Sequence, residues 1–560
     1  MLRLAASGVI VLLAGTVLAG LLVALLPALG YAPVLGHDTI SAEAIAGLLE
    51  APGLTRSVLL SFLSGLLTAA VSLAIVVLFL ASGRGSRLER LIRRAISPLL
   101  AVPHAAMAFG LAFLIAPSGM IVRALSPWLT GWSDPPDLLI VNDPYGLSMM
   151  AGLVLKEVPF LLLMSLAALP QVSAPDRLAV ARTLGYRPVT AWLKAVLPAL
   201  YPLIRLPVYA VIAYASSVVD VAMILGPTNP PPLGVAVLKW ANDPDLDRLL
   251  IAAAAAWLQL GVTFAALATW RSGEGLAMRL GRAWVRRGTR QMGDAVLRRA
   301  GITLMGAIAV LSGLGLLSLG LWSIAGYWRF PDALPEHVTA ATWQTALAVI
   351  GTPLANTLAV ALVATGVSIA ATIAALEHET RRGHPAGRLA LTILYLPLIV
   401  PSVSFLLGIA VVMSFSGLRP GLAAVILGHV LFVLPYCYLS LSEAYRRLDP
   451  RLAALARTLG SRPAGVFWRV RLPLLATPIL TAAAVGFAVS AGQYLPTQLL
   501  GAGRVPTITT EAVALAAGGD RRTIGVWAIC QALLPAVAFM IAIGVPHLMW
   551  RHRRLMREAA

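Results

Sequence analysis

The chain has 560 residues, 59% of them hydrophobic and only 12% charged, with a mean hydropathy of +0.85. Soluble domains carry about 25% charged residues, so this composition excludes an ordinary soluble enzyme and a disordered chain and points to a polytopic membrane protein. The net charge of +19 includes only three lysines, Lys156, Lys194 and Lys239, none of which follows a glycine, and this excludes a nucleotide-binding P-loop.

Residues 4–36 carry no charge. That is longer than the apolar core of a signal peptide, about 7–15 residues, and predicts a first spanning helix over roughly 6–33. Further apolar runs fall near 57–82, 96–116, 146–169, 202–227 and 248–270. A second set falls near 300–327, 353–376, 389–416, 421–442, 476–500 and 523–547, which makes twelve spans in an all-α integral membrane fold. Cys437 and Cys530 lie in such runs and read as packing residues, with no disulfide or zinc site. No cofactor or metal is expected.

With both termini cytoplasmic, the inside segments hold 33 of the 43 Lys and Arg but only 9 of the 24 Asp and Glu. A misplaced helix would mix the two populations, so the split supports twelve spans under the positive-inside rule. The basic segment 271–299, with eight arginines, falls between the two sets of spans. Topology and anionic lipid headgroups account for it, so it is expected to be an amphipathic linker on the cytoplasmic face and not a nucleic-acid site.

The sequence repeats itself. ARTLG stands at 181–185 and again at 456–460, an offset of 275. The same offset pairs Pro175 with Pro450, Arg187 with Arg462, Pro188 with Pro463, and Leu197-Pro198 with Leu472-Pro473. Each copy joins the fourth and fifth spans of its set, which predicts two parallel six-helix repeats with a pathway between them. The expected domains are 1–270 and 300–560, joined by the linker 271–299. Each loop reads as two short helices bent at a glycine, Gly185 or Gly460, with a proline opening the second.

The segments A-x-A-R-T-L-G at 179–185 and 454–460, each with Leu-Pro thirteen residues after its glycine, resemble the EAA loop of permeases of binding-protein-dependent ABC importers. The resemblance covers essentially the whole chain and is strongest to fused two-domain permeases of the ferric-iron and thiamine uptake type. Within those, KEVPF at 156–160 and the stretch 491–522 are most similar to a thiamine-like subgroup. The resemblance implies a type I importer (MetI-like) transmembrane fold in each half, in a bacterial inner membrane. It implies that the two loops dock on two copies of a separate ATPase and that an extracytoplasmic binding protein delivers the solute. The docking residues would be Arg182, Thr183, Leu184, Gly185, Arg187, Pro188 and Pro198, and Arg457, Thr458, Leu459, Gly460, Arg462, Pro463 and Pro473. One departure stands out: the family's glutamate is Ala179 in one loop and Ala454 in the other, leaving Asp176 or Asp449 as substitutes.

Charge at membrane depth is costly, so Lys156, Glu157 and Asp220 need a reason. Lys156 and Glu157 precede Pro159 and either line the pathway or join helices, with the carbonyl freed by the proline as a partner for Lys156. Asp220 either lines the pathway or pairs with a buried group such as Lys156. Gln493 and Tyr494, beside its repeat counterpart Leu495, are pathway candidates or helix glue. His429 reads as a hydrogen-bonded helix contact, and Trp128, Trp132, Trp328 and Trp343 as an interfacial belt. Two rivals share some of these features. A twelve-span secondary transporter has the same layout without needing the repeated loops, and a membrane enzyme needs a polar catalytic cluster that the sequence lacks.

Overall fold

A computed structural model describes residues 7–82, 87–384 and 387–549. Among the described residues the regular structure is helical, apart from isolated bridges between Ala32 and His37 and between Ala325 and Val338. Among the described residues ten helices are long and apolar enough to cross a membrane, and counting each of two bent helix pairs as one span brings the number to the twelve that the apolar runs predict.

The N-terminal half comprises α1 (Ser7–Ala28), α2 (Leu54–Ser82), α3 (Arg87–Ala101), α4 (His104–Ile115), α5 (Leu147–Ala168), α6 (Ala174–Thr183), α7 (Pro188–Ser217), α8 (Asp220–Leu225), α9 (Leu233–Ala241) and α10 (Arg248–Arg286). The C-terminal half comprises α11 (Asp294–Ile324), α12 (Gly351–Arg382), α13 (Leu389–Ile399), α14 (Ser402–Phe415), α15 (Leu422–Arg447), α16 (Pro450–Thr458), α17 (Pro463–Leu474), α18 (Ala476–Ala491), α19 (Leu495–Gly501), α20 (Ile508–Ala514) and α21 (Arg521–Met549).

One expectation about continuity is corrected. The apolar runs near 96–116, 202–227, 389–416 and 476–500 are not single helices. The first and third break at Val102-Pro103 and Val400-Pro401, where proline supplies no N–H and pushes the preceding residue out of the helical region. In the C-terminal half α13 and α14 meet there at 86°. The other two runs break after Ser217 and Ala491 and resume at Asp220 and Leu495, again 275 apart. Conversely, 271–286 is helical. It continues α10, because no proline interrupts it and no left-handed glycine intervenes until Gly288. Only 287–293 remain as a turn between α10 and α11.

The two halves interlock through their first helices. In α1, Gly20 lies against α14 of the other half so closely that a Cβ on Gly408 would overlap the Gly20 carbonyl. Reciprocally, α11 crosses α4, and a Cβ on Gly110 would stand 2.9 Å from the carbonyl carbon and oxygen of Gly315. Small residues are what allow helix backbones to approach in lipid, where apolar surface alone gives no drive to associate. The crossing yields a position-specific test. Gly110→Leu and Gly315→Leu should abolish recovery of monodisperse protein by size exclusion in detergent. Gly313→Leu, on the same helix with open space around it, should extract as wild type.

Candidate functional site

The repeated loops have the same backbone geometry. α6 and α16 each end at a glycine in the left-handed region, Gly185 at φ +82° and Gly460 at φ +83°. The Gly185 N–H donates to the Arg182 carbonyl (2.9 Å) and the Tyr186 N–H to the Ala181 carbonyl (3.1 Å). Gly460 and Ser461 repeat the pair on Arg457 (2.9 Å) and Ala456 (3.0 Å). This is a Schellman closure, which needs the glycine and satisfies the helix's last carbonyls. Thr183 and Thr458 add side-chain hydrogen bonds to the carbonyls of Val180 (2.8 Å) and Leu455 (2.7 Å). Arg187 and Arg462 are then extended, at ψ 153° and 156°, and Pro188 and Pro463 open the next helix. That helix widens to a π turn at Trp192–Val196 and Phe467–Arg471. Pro198 and Pro473 follow directly, and neither has an N–H for an ordinary i→i−4 bond.

Of the predicted docking residues, Arg182, Thr183, Leu184, Gly185, Arg187, Pro188 and Pro198 are exposed. So are Arg457, Thr458, Leu459, Gly460, Arg462 and Pro463, while Pro473 is half-buried. Sequence reasoning missed Val180 and Leu455. They lie one turn before Leu184 and Leu459, and all four are more than half exposed. The recurrence of an i, i+4 apolar pair at the same offset was the available signal. Ala179 and Ala454 are exposed as well. Asp449 is engaged in capping α16 through the Arg451 N–H (2.8 Å).

The loop bases are anchored by buried carboxylates that the sequence did not single out. Glu377 of α12 accepts from Arg471 (2.6 Å), Tyr445 (2.6 Å) and Arg381 (2.8 Å). Glu274 of α10 accepts from Tyr201 (2.5 Å), with Arg205 at 3.4 Å and Arg271 at 3.5 Å.

In the spans, Lys156 and Glu157 are both buried and straddle the break between α3 and α4. The Lys156 ammonium donates to the carbonyls of Leu99 (3.2 Å) and Leu100 (2.8 Å) at the end of α3. The carbonyl freed by a proline is therefore the one upstream of Pro103, in a neighbouring helix, and not the one upstream of Pro159. Glu157 lies 3.3 Å from the Nε2 of His104, the first residue of α4. A cation thus sits at a helix C-terminus and an anion near an N-terminus, the favourable sense for both helix dipoles. Among the described residues no ion pair joins Lys156 to Asp220. The His104 ring lies 4.8 Å from that of Tyr214, whose hydroxyl is 3.4 Å from Asp220. Glu157, His104, Tyr214 and Asp220 therefore form a chain of polar side chains from one helix break to the next, buried at its two carboxylate ends and half-buried between them. Tyr494 precedes α19 and is buried, and both amide atoms of the adjacent Gln493 are buried without a hydrogen-bond partner. His429 bridges the hydroxyls of Ser490 and Thr497, each at 2.8 Å, the helix contact expected of it. Trp328 departs from the expected interfacial belt. It is buried, with its ring 4.4 Å from Trp322 and beneath the Arg123 guanidinium.

A multi-pass helical protein with broken spans at paired positions and two matching exposed loops has the architecture of a transport permease. Residues 365–546 match the family described as binding-protein-dependent transport system inner membrane component. The chain is 33% identical over 493 residues to the inner membrane ABC transporter permease protein YnjC of Escherichia coli strain K12, covering 88% of each chain. It is also similar to the molybdenum transport system permease protein ModB of Mycobacterium tuberculosis, 35% identical over 118 residues, 18% of this chain and 43% of that one. A spermidine/putrescine transport system permease protein PotC homolog of Mycoplasma pneumoniae is 25% identical over 215 residues, 37% of this chain and 72% of that one. The chain belongs to the binding-protein-dependent ABC transporter permeases and is a permease subunit of an ABC importer.

The Lys156 contacts predict a stability role separable from transport. Lys156→Met leaves the Leu99 and Leu100 carbonyls unpaired and should cost about 2 kcal/mol, read as a lowered thermal midpoint in detergent. Lys239→Met, at an exposed site, should leave the midpoint unchanged.

Proposed function

We propose that this chain is the complete transmembrane part of an ATP-driven importer, with two permease units fused in one polypeptide at residues 1–270 and 300–560. The loops around Gly185 and Gly460 are its coupling elements, each seated on one copy of a separate ATPase subunit. The observation that carries this reading is the repeated Schellman bend with an exposed apolar pair, Val180 with Leu184 and Leu455 with Leu459, ringed by Arg182, Arg187, Arg457 and Arg462. Nothing in span-to-span connection requires two such surfaces, whereas docking on two copies of one partner does. With Ala179 and Ala454 in place of acidic residues, apolar contact and arginines carry the docking.

The solute passes between the halves, delivered by an extracytoplasmic binding protein. Asp220, Gln493 and Tyr494 stand at the paired breaks of the fifth spans, and broken helices are where transporter folds expose backbone to a substrate. Lys156 and Glu157 hold the neighbouring break in shape. The polar residues are unevenly shared, Asp220 having Leu495 as its counterpart, so the solute site is asymmetric. The resemblance to ferric-iron and thiamine uptake permeases gives the first solutes to try. The chain lies in a bacterial inner membrane with both termini cytoplasmic.

Two measurements test this. The purified chain should hydrolyse no ATP alone and should capture an ATPase encoded beside it. Gly460→Leu, which has space for the side chain but not the backbone angle, should weaken that capture and uncouple hydrolysis from transport, while Gly460→Asn should retain both. Normal transport by Gly185→Leu and Gly460→Leu alike would overturn the coupling assignment. For orientation, reporters fused after Leu548 should behave as cytoplasmic and those near Asp134 and Asp332 as external. An external C-terminus would refute the two-repeat topology.

A further inference from the structure

The two loops match in backbone but not in what holds them. In the N-terminal loop the support comes from the connection between the two halves, from Trp284 at the end of α10 to Asp294 at the start of α11. Asp294, the buried first residue of α11, accepts the Val189 N–H (2.8 Å) and the Thr190 N–H (3.1 Å) on Oδ2 and the Thr190 hydroxyl (2.7 Å) on Oδ1. Those two amides lie in the first turn of α7 and have no partner within their own helix. Asp294 is therefore an N-terminal cap supplied from a distant point in the chain. Around it, the Arg187 N–H donates to the Arg290 carbonyl (3.0 Å). Lys194 donates to the carbonyls of Thr289 (2.7 Å) and Trp284 (3.1 Å), its ammonium 4.5 Å from the Trp284 ring.

Among the described residues the C-terminal loop has no such clasp. Ala464 and Gly465 occupy the places of Val189 and Thr190, and among the described residues their amides meet no side-chain acceptor. This loop is held at its far end, where Arg471 meets Glu377, and it turns 70° from α18 at Leu475. The N-terminal loop helix instead runs on into its span as one helix, Pro188–Ser217.

We infer that Asp294 is a positioning residue that fixes the first coupling helix to α11, making the first docking element rigid and the second compliant. The inference rests on reading these loops as docking elements. Its consequence is that two identical ATPase subunits meet two mechanically different seats.

Hydrogen exchange on the purified full-length chain tests this without the partner. Amides 189–191 should exchange about tenfold or more slowly relative to 464–466, since a hydrogen bond to a charged acceptor is worth at least that factor. Asp294→Ala should remove the difference and leave 464–466 unchanged. Asp294→Asn, which keeps one acceptor oxygen, should restore part of it. Thr190→Val, which loses only the hydroxyl bond, should give an intermediate value in a chain that folds normally. Equal exchange of the two loops in the wild-type chain, or no response to Asp294→Ala, would overturn the inference. Failure of the loops is distinguishable: if the adjacent ATPase does not bind while the exchange difference stands, the docking assignment falls and the Asp294 clasp remains.

Discussion

Two backbone-to-backbone crossings, Gly20 on Gly408 and Gly110 on Gly315, govern this architecture. In lipid there is little to gain from burying apolar surface, so helices associate where they fit closely. A side chain at any of the four positions would separate a first helix from the third span of the opposite half. Because the contacts are reciprocal, neither half completes its own wall. Ser404, beside Gly408 on α14, donates to the Ala256 carbonyl of α10 (2.6 Å) and ties the same seam a second time. The breaks at Val102-Pro103 and Val400-Pro401 therefore lie in spans that the partner half covers.

Helices that end within apolar spans leave carbonyl and N–H groups that lipid cannot satisfy. The N-terminal half answers with charge and amide: Lys156 on Leu99 and Leu100, Glu157 beside His104, and Gln259 on the Ser216 carbonyl (3.1 Å). The C-terminal half answers with a neutral group, the Thr509 hydroxyl on the Ala491 carbonyl (2.6 Å), while His429 ties the two sides of the break through the hydroxyls of Ser490 and Thr497. The same pair of fractures is thus stabilised by different chemistry on each side. Gln493 stands at the C-terminal break with both amide atoms buried and, among the described residues, without a hydrogen-bond partner.

The sequence carried the spans, the repeat and the loop bends plainly, for physical reasons. Twenty-residue apolar runs and Gly-Pro punctuation are local signals, and a left-handed glycine followed by proline needs no tertiary context. What it hid were events that depend on distant residues. The carbonyl satisfied by Lys156 belongs to a helix more than fifty residues upstream, so a search near Pro159 found the wrong proline. Val180 and Leu455 were not singled out, because exposure is not written in an apolar side chain. That 271–286 continues α10 as one helix was hidden, because its arginines interrupt the apolar run that marks the span. Asp294 looked like any acidic residue in a basic stretch. Its role appears only when α7 is brought beside α11.

The length of α10 has a consequence of its own. Its 39 residues, at a rise of about 1.5 Å each, make a rod of roughly 58 Å, about twice the thickness of a bilayer's hydrocarbon core. About half of its length is in excess of that core. The turn at 287–293 sits at its C-terminal end, and the first loop is lashed there through Thr289 and Arg290. The distance from the apolar start of α10 to that loop is therefore set by a ruler of fixed pitch. Each residue added to or removed from α10 shifts the loop's anchor by about 1.5 Å and also rotates it by about 100°, so the distance can change smoothly only in steps that restore the bearing.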